Sequence, residues 1–415
     1  MPLIFPARCK MTPTCLLVAL TAFIGLFTLV NSSSAQTWVL STSAPNEYWD
    51  TVACSADGTK IVAASYWITS STHYGHVAIS PDAGTTWTTR VVQATAWAHV
   101  ASSADGTKLA VAADKGFVFC STNSGAVWDS LPGAGNWWGL ACSSDANQIV
   151  GVSQGTSSPG GVYTFTNFPG IWTWTGAPQD PHHTLPLSNA VPLEAWEGVA
   201  MSADGTRIVA VGNGVVYTSA NSGSNWVSQN VPNYEWWGVA SSADGTKLAA
   251  VAGGAIFTST NSGASWVQTS APVVQWAQVA SSADGTKLVG VVYGGGIYTS
   301  VDSGLTWSSN NAPVANWFSV ASSADGTKLV AVVYGGGIYT TQVPTSVPTL
   351  GIQLTSTNTF VLSWSASLPG FALQQNAEPT TTNWVNATSS LAIVGGQYQA
   401  IISPSLGSLF YRLVH

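Results

Sequence analysis

The stretch VASSADGTKLVAVVYGGGIYT, Val320–Thr340, occurs almost unchanged at Val279–Thr299, 41 residues earlier. Self-similarity at such a period marks units that stack and bury one another's faces. Working outward from this pair, the Asp-Gly turn or its equivalent recurs at Asp57, Asp105, Asp145, Asp204, Asp244, Asp284 and Asp325. A tryptophan stands eight residues before each: Trp49, Trp97, Trp137, Trp196, Trp236, Trp276 and Trp317. Seven copies result, with four intervals of 40 or 41 residues.

Each copy reads as four strands. In the sixth, WAQVASS is the first, and ADGT is a tight hairpin turn whose Gly285 supplies a positive φ. KLVGVVY is apolar throughout, as a middle strand covered on both faces must be. GGG turns the chain into IYTS, and VDSG turns it into LTWSS. No segment is left for a helix. The seventh copy stops at IYTTQ, without a fourth strand. TWVLSTSAP, Thr37–Pro45, resembles SWVQTSAP, Ser265–Pro272, the fourth strand of the fifth copy. The expected fold is therefore all-β: a seven-bladed β-propeller of four-stranded blades over residues 36–345, closed by an N-terminal strand.

The turn before each fourth strand carries a motif of its own. SPDAGTTW (Ser80–Trp87) and SVDSGLTW (Ser300–Trp307) fit S-x-D-x-G-x-T-W. STNSGAVW (Ser121–Trp128), SANSGSNW (Ser219–Trp226) and STNSGASW (Ser259–Trp266) carry Asn for Asp. The acid or amide accepts N–H groups of its own turn, the Gly permits a left-handed residue, and the Trp anchors the outer strand. These motifs and the period resemble the BNR/Asp-box propellers, which include sialidases, other glycosidases, sortilin-type receptors and photosystem II assembly factors. The resemblance covers residues 36–345 and is closest in repeat style to the assembly factors. It implies that the Asp-box acids brace hairpins opposite the ligand face. A sialidase binds its substrate carboxylate with three arginines. After the leader only Arg90, Arg207 and Arg412 remain, and Arg412 lies outside the repeats. No sialidase activity is expected.

Residues 1–35 read as a signal peptide: Arg8 and Lys10, the apolar run Cys15–Val30, then Ser33-Ser34-Ala35, with cleavage after Ala35 and export. Cleavage leaves nine basic residues against 18 acidic ones, which excludes a nucleic-acid footprint, and no later segment spans a membrane as a helix. The remaining Cys54, Cys120 and Cys142 are odd in number and read as small buried side chains. No metal or cofactor is expected.

The turns of one face are uniform and read as scaffolding. The opposite face, where each first strand begins, varies. The residue after the repeated Trp is Asp50, Ala98, Trp138, Glu197, Trp237, Ala277 or Phe318. Aromatics and acids at a position the scaffold leaves free suit a binding surface. The candidate ligand site is thus Asp50, His99, Trp138, Glu197, Glu235, Trp237 and Phe318, with Glu47 and Glu194 at the same mouth. Glu197 and Glu235, on adjacent blades, are the pair a glycoside hydrolase would use. Two insertions, YWITSSTHYGH (Tyr66–His76) and GAPQDPHHTLPLSNAVP around His182-His183, fall on this face; the histidines lack further zinc ligands. The expected function is non-enzymatic binding of a glycan or an extracellular protein. A hydrolase using the mouth carboxylates, or an assembly factor for another exported protein, are the alternatives.

After the VPTSVP linker the repeat ends. TFVLSW, FALQQN, NWVNAT, QYQAIIS and LFYRLVH read as short strands of a small β-sandwich-like domain over 346–415. Its style resembles C-terminal modules of secreted bacterial proteins.

Overall fold

The computed structural model describes residues 37–68, 73–90, 92, 97–113, 116–131, 135–154, 161–166 and 196–342, then 350–355, 359–365, 372–377, 383–387, 391–402 and 410–414. The expected leader over residues 1–35, the third copy's turn beyond Thr166, Glu194, the His182-His183 insertion and the VPTSVP linker lie outside the described residues. Contacts divide the chain into Gln36–Val343 and a second unit that includes Pro344–His415.

All regular structure among the described residues is β-strand. The repeated Trp opens or lies within seven first strands: Trp49–Cys54, Trp97–Ser102, Trp137–Cys142, Trp196–Met201, Trp236–Ser241, Trp276–Ser281 and Ala315–Ser322. Each pairs antiparallel with a second strand, such as Ile61–Ser65, Leu109–Ala113, Ile208–Gly212 or Leu248–Ala252, in which every residue is buried. Apolar clusters join neighbouring copies. Trp236 and Phe257 of the fifth copy pack with Val209, Val211 and Val216 of the fourth. A lone meander leaves both faces of its middle strands wet; neighbouring copies cover them.

The architecture is a β-propeller, and its seam is closed from both termini. Thr37–Leu40 pairs antiparallel with Ile338–Gln342, Trp38 opposite Thr341 and Leu40 opposite Tyr339. Trp38 is buried against Trp317, ring centroids 6.1 Å apart. Near the Asp-Gly turns a circuit of backbone hydrogen bonds joins successive copies. Ala56 N donates to Ala104 O, and the chain of bonds continues through Ser144, Ala203, Ala243, Ala283 and Ala324 back to Ala56, each 2.7 Å.

The turns are held by their own side chains. Asp57 Oδ1 accepts Ser55 Oγ, Thr59 N (2.9 Å) and Thr59 Oγ1 (2.8 Å), and the pattern repeats at Asp105, Asp244 and Asp284. These bonds hold the four carboxyls at about 2, below the ordinary 3.8. Gly285 takes φ 67° as the turn requires, and a Cβ there would lie 2.8 Å from Lys247 Cβ. In the third copy Ala146 occupies this position at φ 49°. In the turns before the fourth strands, Asp82 Oδ1 accepts Ser80 Oγ and Thr86 N, and Ser80 Oγ accepts Gly84 N. Here the residue before the Gly is left-handed too, Ala83 at φ 57° and Ser303 at φ 60°, which the sequence did not signal.

The C-terminal strands form a four-stranded sheet, ordered Gly351–Leu354, Phe360–Ser365, Gln397–Ile402, Leu391–Val394, and a three-stranded one, Val385–Asn386, Ala372–Asn376, Phe410–Val414. Leu362, Trp364 and Ala400 of the first pack with Leu373 and Leu413 of the second. Gly351–Leu354 and Leu391–Val394 were not foreseen from the sequence. Cys54, Cys120 and Cys142 are free thiols, and burial pushes Cys54 and Cys142 up to about 12.

Candidate functional site

The position after the repeated Trp is set by one device used in every copy. Register shifts by one residue between Trp49 and Thr51, Trp97 and His99, Trp137 and Gly139, Trp196 and Gly198, Trp236 and Gly238, Trp276 and Gln278, and Trp317 and Ser319. The residue between is the extra one of a β-bulge, left out of the ladder and re-aimed. The repeated Trp is buried in the described copies, whereas Trp138, Trp237 and Phe318 remain 37%, 48% and 38% exposed. Asp50, Glu197 and Ala277 are half-buried at the same register.

His99 does not belong to this set. It sits one register on, level with Thr51 and Ser319, where side chains turn toward the neighbouring copy. Ser319 Oγ there donates to Gln278 Oε1 (2.6 Å) and accepts Val52 N (3.2 Å). Burial lowers the His99 imidazole to about 4, so it is neutral at physiological pH. Sequence reading placed it on the rim because it could not see the bulge.

The carboxylates are positioned by backbone bridges between copies. Glu235 bridges Asn213, and Glu47 bridges Gly336. Glu197 accepts a hydrogen bond from Gln154 Nε2 of the preceding copy (2.7 Å). Desolvation by burial first, and the Glu235 charge second, raise Glu197 to about 7. Glu47 Oε1 pairs with His76 Nδ1 at 2.7 Å. A shallow pocket of about 310 Å³ is lined by Trp237, Ala252, Gly254, Val273, Val274, Gln275 and Trp276.

Sequence reading missed four mouth aromatics: Tyr48, Tyr234, Tyr293 and Tyr334. Tyr293 and Tyr334 end the second strands of the sixth and seventh copies, inside the repeated stretch itself. Their equivalents elsewhere are Tyr66, Asp114, Gln154, Asn213 and Gly253. That variability was the available signal. Leu288–Gly295 also runs on to pair with the next copy, Tyr293 opposite Asn316, which draws Tyr293 toward Phe318. Every exposed aromatic among the described residues lies at or just before the start of a first or third strand, or near the end of a second: Tyr48, Phe117, Trp138, Tyr234, Trp237, Tyr293 and Phe318. All therefore lie on the mouth face.

On the opposite face the turns engage six of the cations among the described residues; Arg90, which ends a fourth strand opposite Val77, is not one of them. Lys60, Lys247, Lys287 and Lys328 each donate Nζ to the carbonyl of the next copy's turn Asp (2.8–2.9 Å), Lys108 donates to Asn147 Oδ1, and Arg207 to Ser262 Oγ.

No protein-family model and no curated protein matches this chain. Among solved structures it is similar to YCF48 from Cyanidioschyzon merolae, with a TM-score of 0.56 and 16% identity over 75% of this chain and 99% of that one. A structure of YCF48 bound to D1 peptide gives 0.55 and 14%, over 75% and 98%. The β-propeller domain of Cps50 (Swd1) from Myceliophteria thermophila gives 0.53 and 12%, over 74% and 100%. At these identities the likeness establishes the β-propeller fold.

Proposed function

We propose that this chain is an exported, seven-bladed propeller of the Asp-box kind, carrying a small C-terminal β module, and that it binds a segment of another protein without catalysis. The mouth face is the binding surface. One observation carries this reading: the exposed aromatics lie on that face together with Glu47, Asp50, Glu197 and Glu235, while Lys60, Lys108, Lys247, Lys287 and Lys328 are engaged on the turns opposite. Large aromatics beside fixed polar groups are the usual anchors of a recognition surface. That a similarly folded propeller, YCF48, has been solved with a peptide bound supports a peptide ligand.

The test is a peptide array and a glycan array probed with the protein lacking residues 1–35. A peptide ligand should bind, and Trp237→Ala should weaken it roughly tenfold, as loss of one stacked aromatic worth about 1–2 kcal/mol does. If Trp138→Ala, Trp237→Ala and Phe318→Ala all leave binding intact, the mouth is not the site. Binding confined to glycans would keep the site and change the ligand class.

Glu197 supports a second reading. A carboxyl raised to about 7 beside a second carboxylate suits a general acid of glycoside hydrolysis. Release of reducing sugar from a bound glycan, abolished in Glu197→Gln, would establish it. A sialidase is disfavoured: of the two repeat-region arginines, Arg207 is engaged with Ser262 on the turn face.

A further inference from the structure

We propose that Tyr48, Asp50, Tyr293, Phe318 and Tyr334 form a site for an alkylammonium cation, the head of a partner's lysine or a free quaternary amine. The inference rests on the mouth being a binding face and names the chemistry of one sector of it.

The sector is assembled from three consecutive copies across the closed seam. Tyr293 and Tyr334 are the same residue of the two near-identical stretches, Phe318 is the bulge residue between them, and Tyr48 and Asp50 flank the buried Trp49 of the first copy. Tyr334 is the hinge of the group. Its ring meets Tyr48 edge-on, centroids 5.1 Å apart at 64°, and lies 5.6 Å from Phe318 at 35°. Asp50 holds in the first copy the bulge position that Phe318 holds in the seventh, and Tyr293 pairs with Asn316 two residues before Phe318; burial first, then Asp50, Tyr48 and Tyr293, raise the Tyr334 hydroxyl. Gly335, at φ 72°, lets Tyr48 lie against the turn; a Cβ there would sit 3.2 Å from Tyr48 Cε1.

The faces of Tyr and Phe rings are negative and attract a cation, and a carboxylate beside them adds to that attraction. Tyr48, Tyr293 and Phe318 keep over a third of their surface in water, so the rings remain accessible. A neutral apolar ligand would not use Asp50, and an anion would be repelled by it and by Glu47.

The experiment is an NMR titration of the protein lacking residues 1–35 with two matched pairs of probes. Nα-acetyl-lysine amide is compared with Nα-acetyl-norleucine amide, and choline with its neutral isostere 3,3-dimethylbutanol. The cations should bind and the neutral partners should not. Tighter binding of lysine amide identifies a protein side chain as the source, and tighter binding of choline a free amine. Asp50→Asn and Phe318→Leu should each weaken cation binding by about five- to thirtyfold, with melting checked on both. Neutral probes that bind as well as the cations, no binding of either cation, or an unchanged affinity in Asp50→Asn would each overturn the proposal. In those cases an array peptide lost on Trp237→Ala leaves the wider reading standing; the absence of any mouth-sensitive ligand removes both.

Discussion

Trp236 and Trp237 are adjacent in sequence and opposite in role, so truncating each in turn separates scaffold from site. Trp236 is fully buried, 5.2 Å from Phe257 and 5.5 Å from Trp266, and its Nε1 donates to Pro232 O. It fills the wedge between the fourth and fifth copies. Replacing a buried Trp by Ala leaves a cavity and costs about 3–5 kcal/mol. For a unit of this size about 2 °C is lost per kcal/mol, so melting should fall by roughly 6–10 °C. Trp237 is 48% exposed at the bulge and leaves no enclosed void. Its removal should cost about 1–1.5 kcal/mol, roughly 2–3 °C, since half its apolar area is wet in the native state. Calorimetric melting gives one axis, and titration with an array-selected peptide the other. Trp237→Ala should weaken binding roughly tenfold and melt no more than roughly 2–3 °C early; Trp236→Ala should melt far earlier and, where it still folds, bind normally. A Trp237→Ala protein that melts early and binds normally would show that the two sides of the strand have been assigned the wrong way round.

Gly285→Ala should destabilise by about 1–3 kcal/mol in chemical denaturation, because the left-handed φ and the Lys247 contact both oppose a Cβ. Lowering the pH from about 4 to 2 should depress melting, since the unfolded chain protonates the turn aspartates before the folded one does; Asp284→Asn should make the fall smaller. Glu197 has the opposite sign. Its folded pKa of about 7 exceeds the ordinary 4.5, so the native state holds a proton the unfolded chain has released, and stability should decline as pH rises between those values. In Glu197→Gln that slope should vanish from a melting-versus-pH series.

The repeat register was legible because Trp and Asp-Gly are locked eight residues apart, and closure was legible because TWVLSTSAP copies an outer strand. The bulge was not. It is a property of pairing between two strands, and a single strand's alternation says nothing of an extra residue. His99 was placed with the exposed set for that reason, while Trp237 and Phe318, singled out by their variability, are exposed at the bulge. Tyr293 and Tyr334 were hidden by the opposite circumstance: they recur, and recurrence read as scaffolding. The strands Gly351–Leu354 and Leu391–Val394 carry no flanking turn signal as strong as those of the repeat, and their pairing is non-local.

The circuit of hydrogen bonds through Ala56, Ala104, Ser144, Ala203, Ala243, Ala283 and Ala324 runs round the propeller axis and not along it. Seven peptide dipoles arranged head to tail on a closed loop sum to almost nothing along that axis. Each amide proton on the circuit is already given to a neighbour. The circuit itself therefore offers an incoming ion neither the converging N–H groups of an anion nest nor the aligned carbonyls of a cation filter. Charge at this end is carried by the turn side chains, aspartates with lysines beside them, and they are fixed by the repeat, whereas the mouth carries side chains that vary from copy to copy.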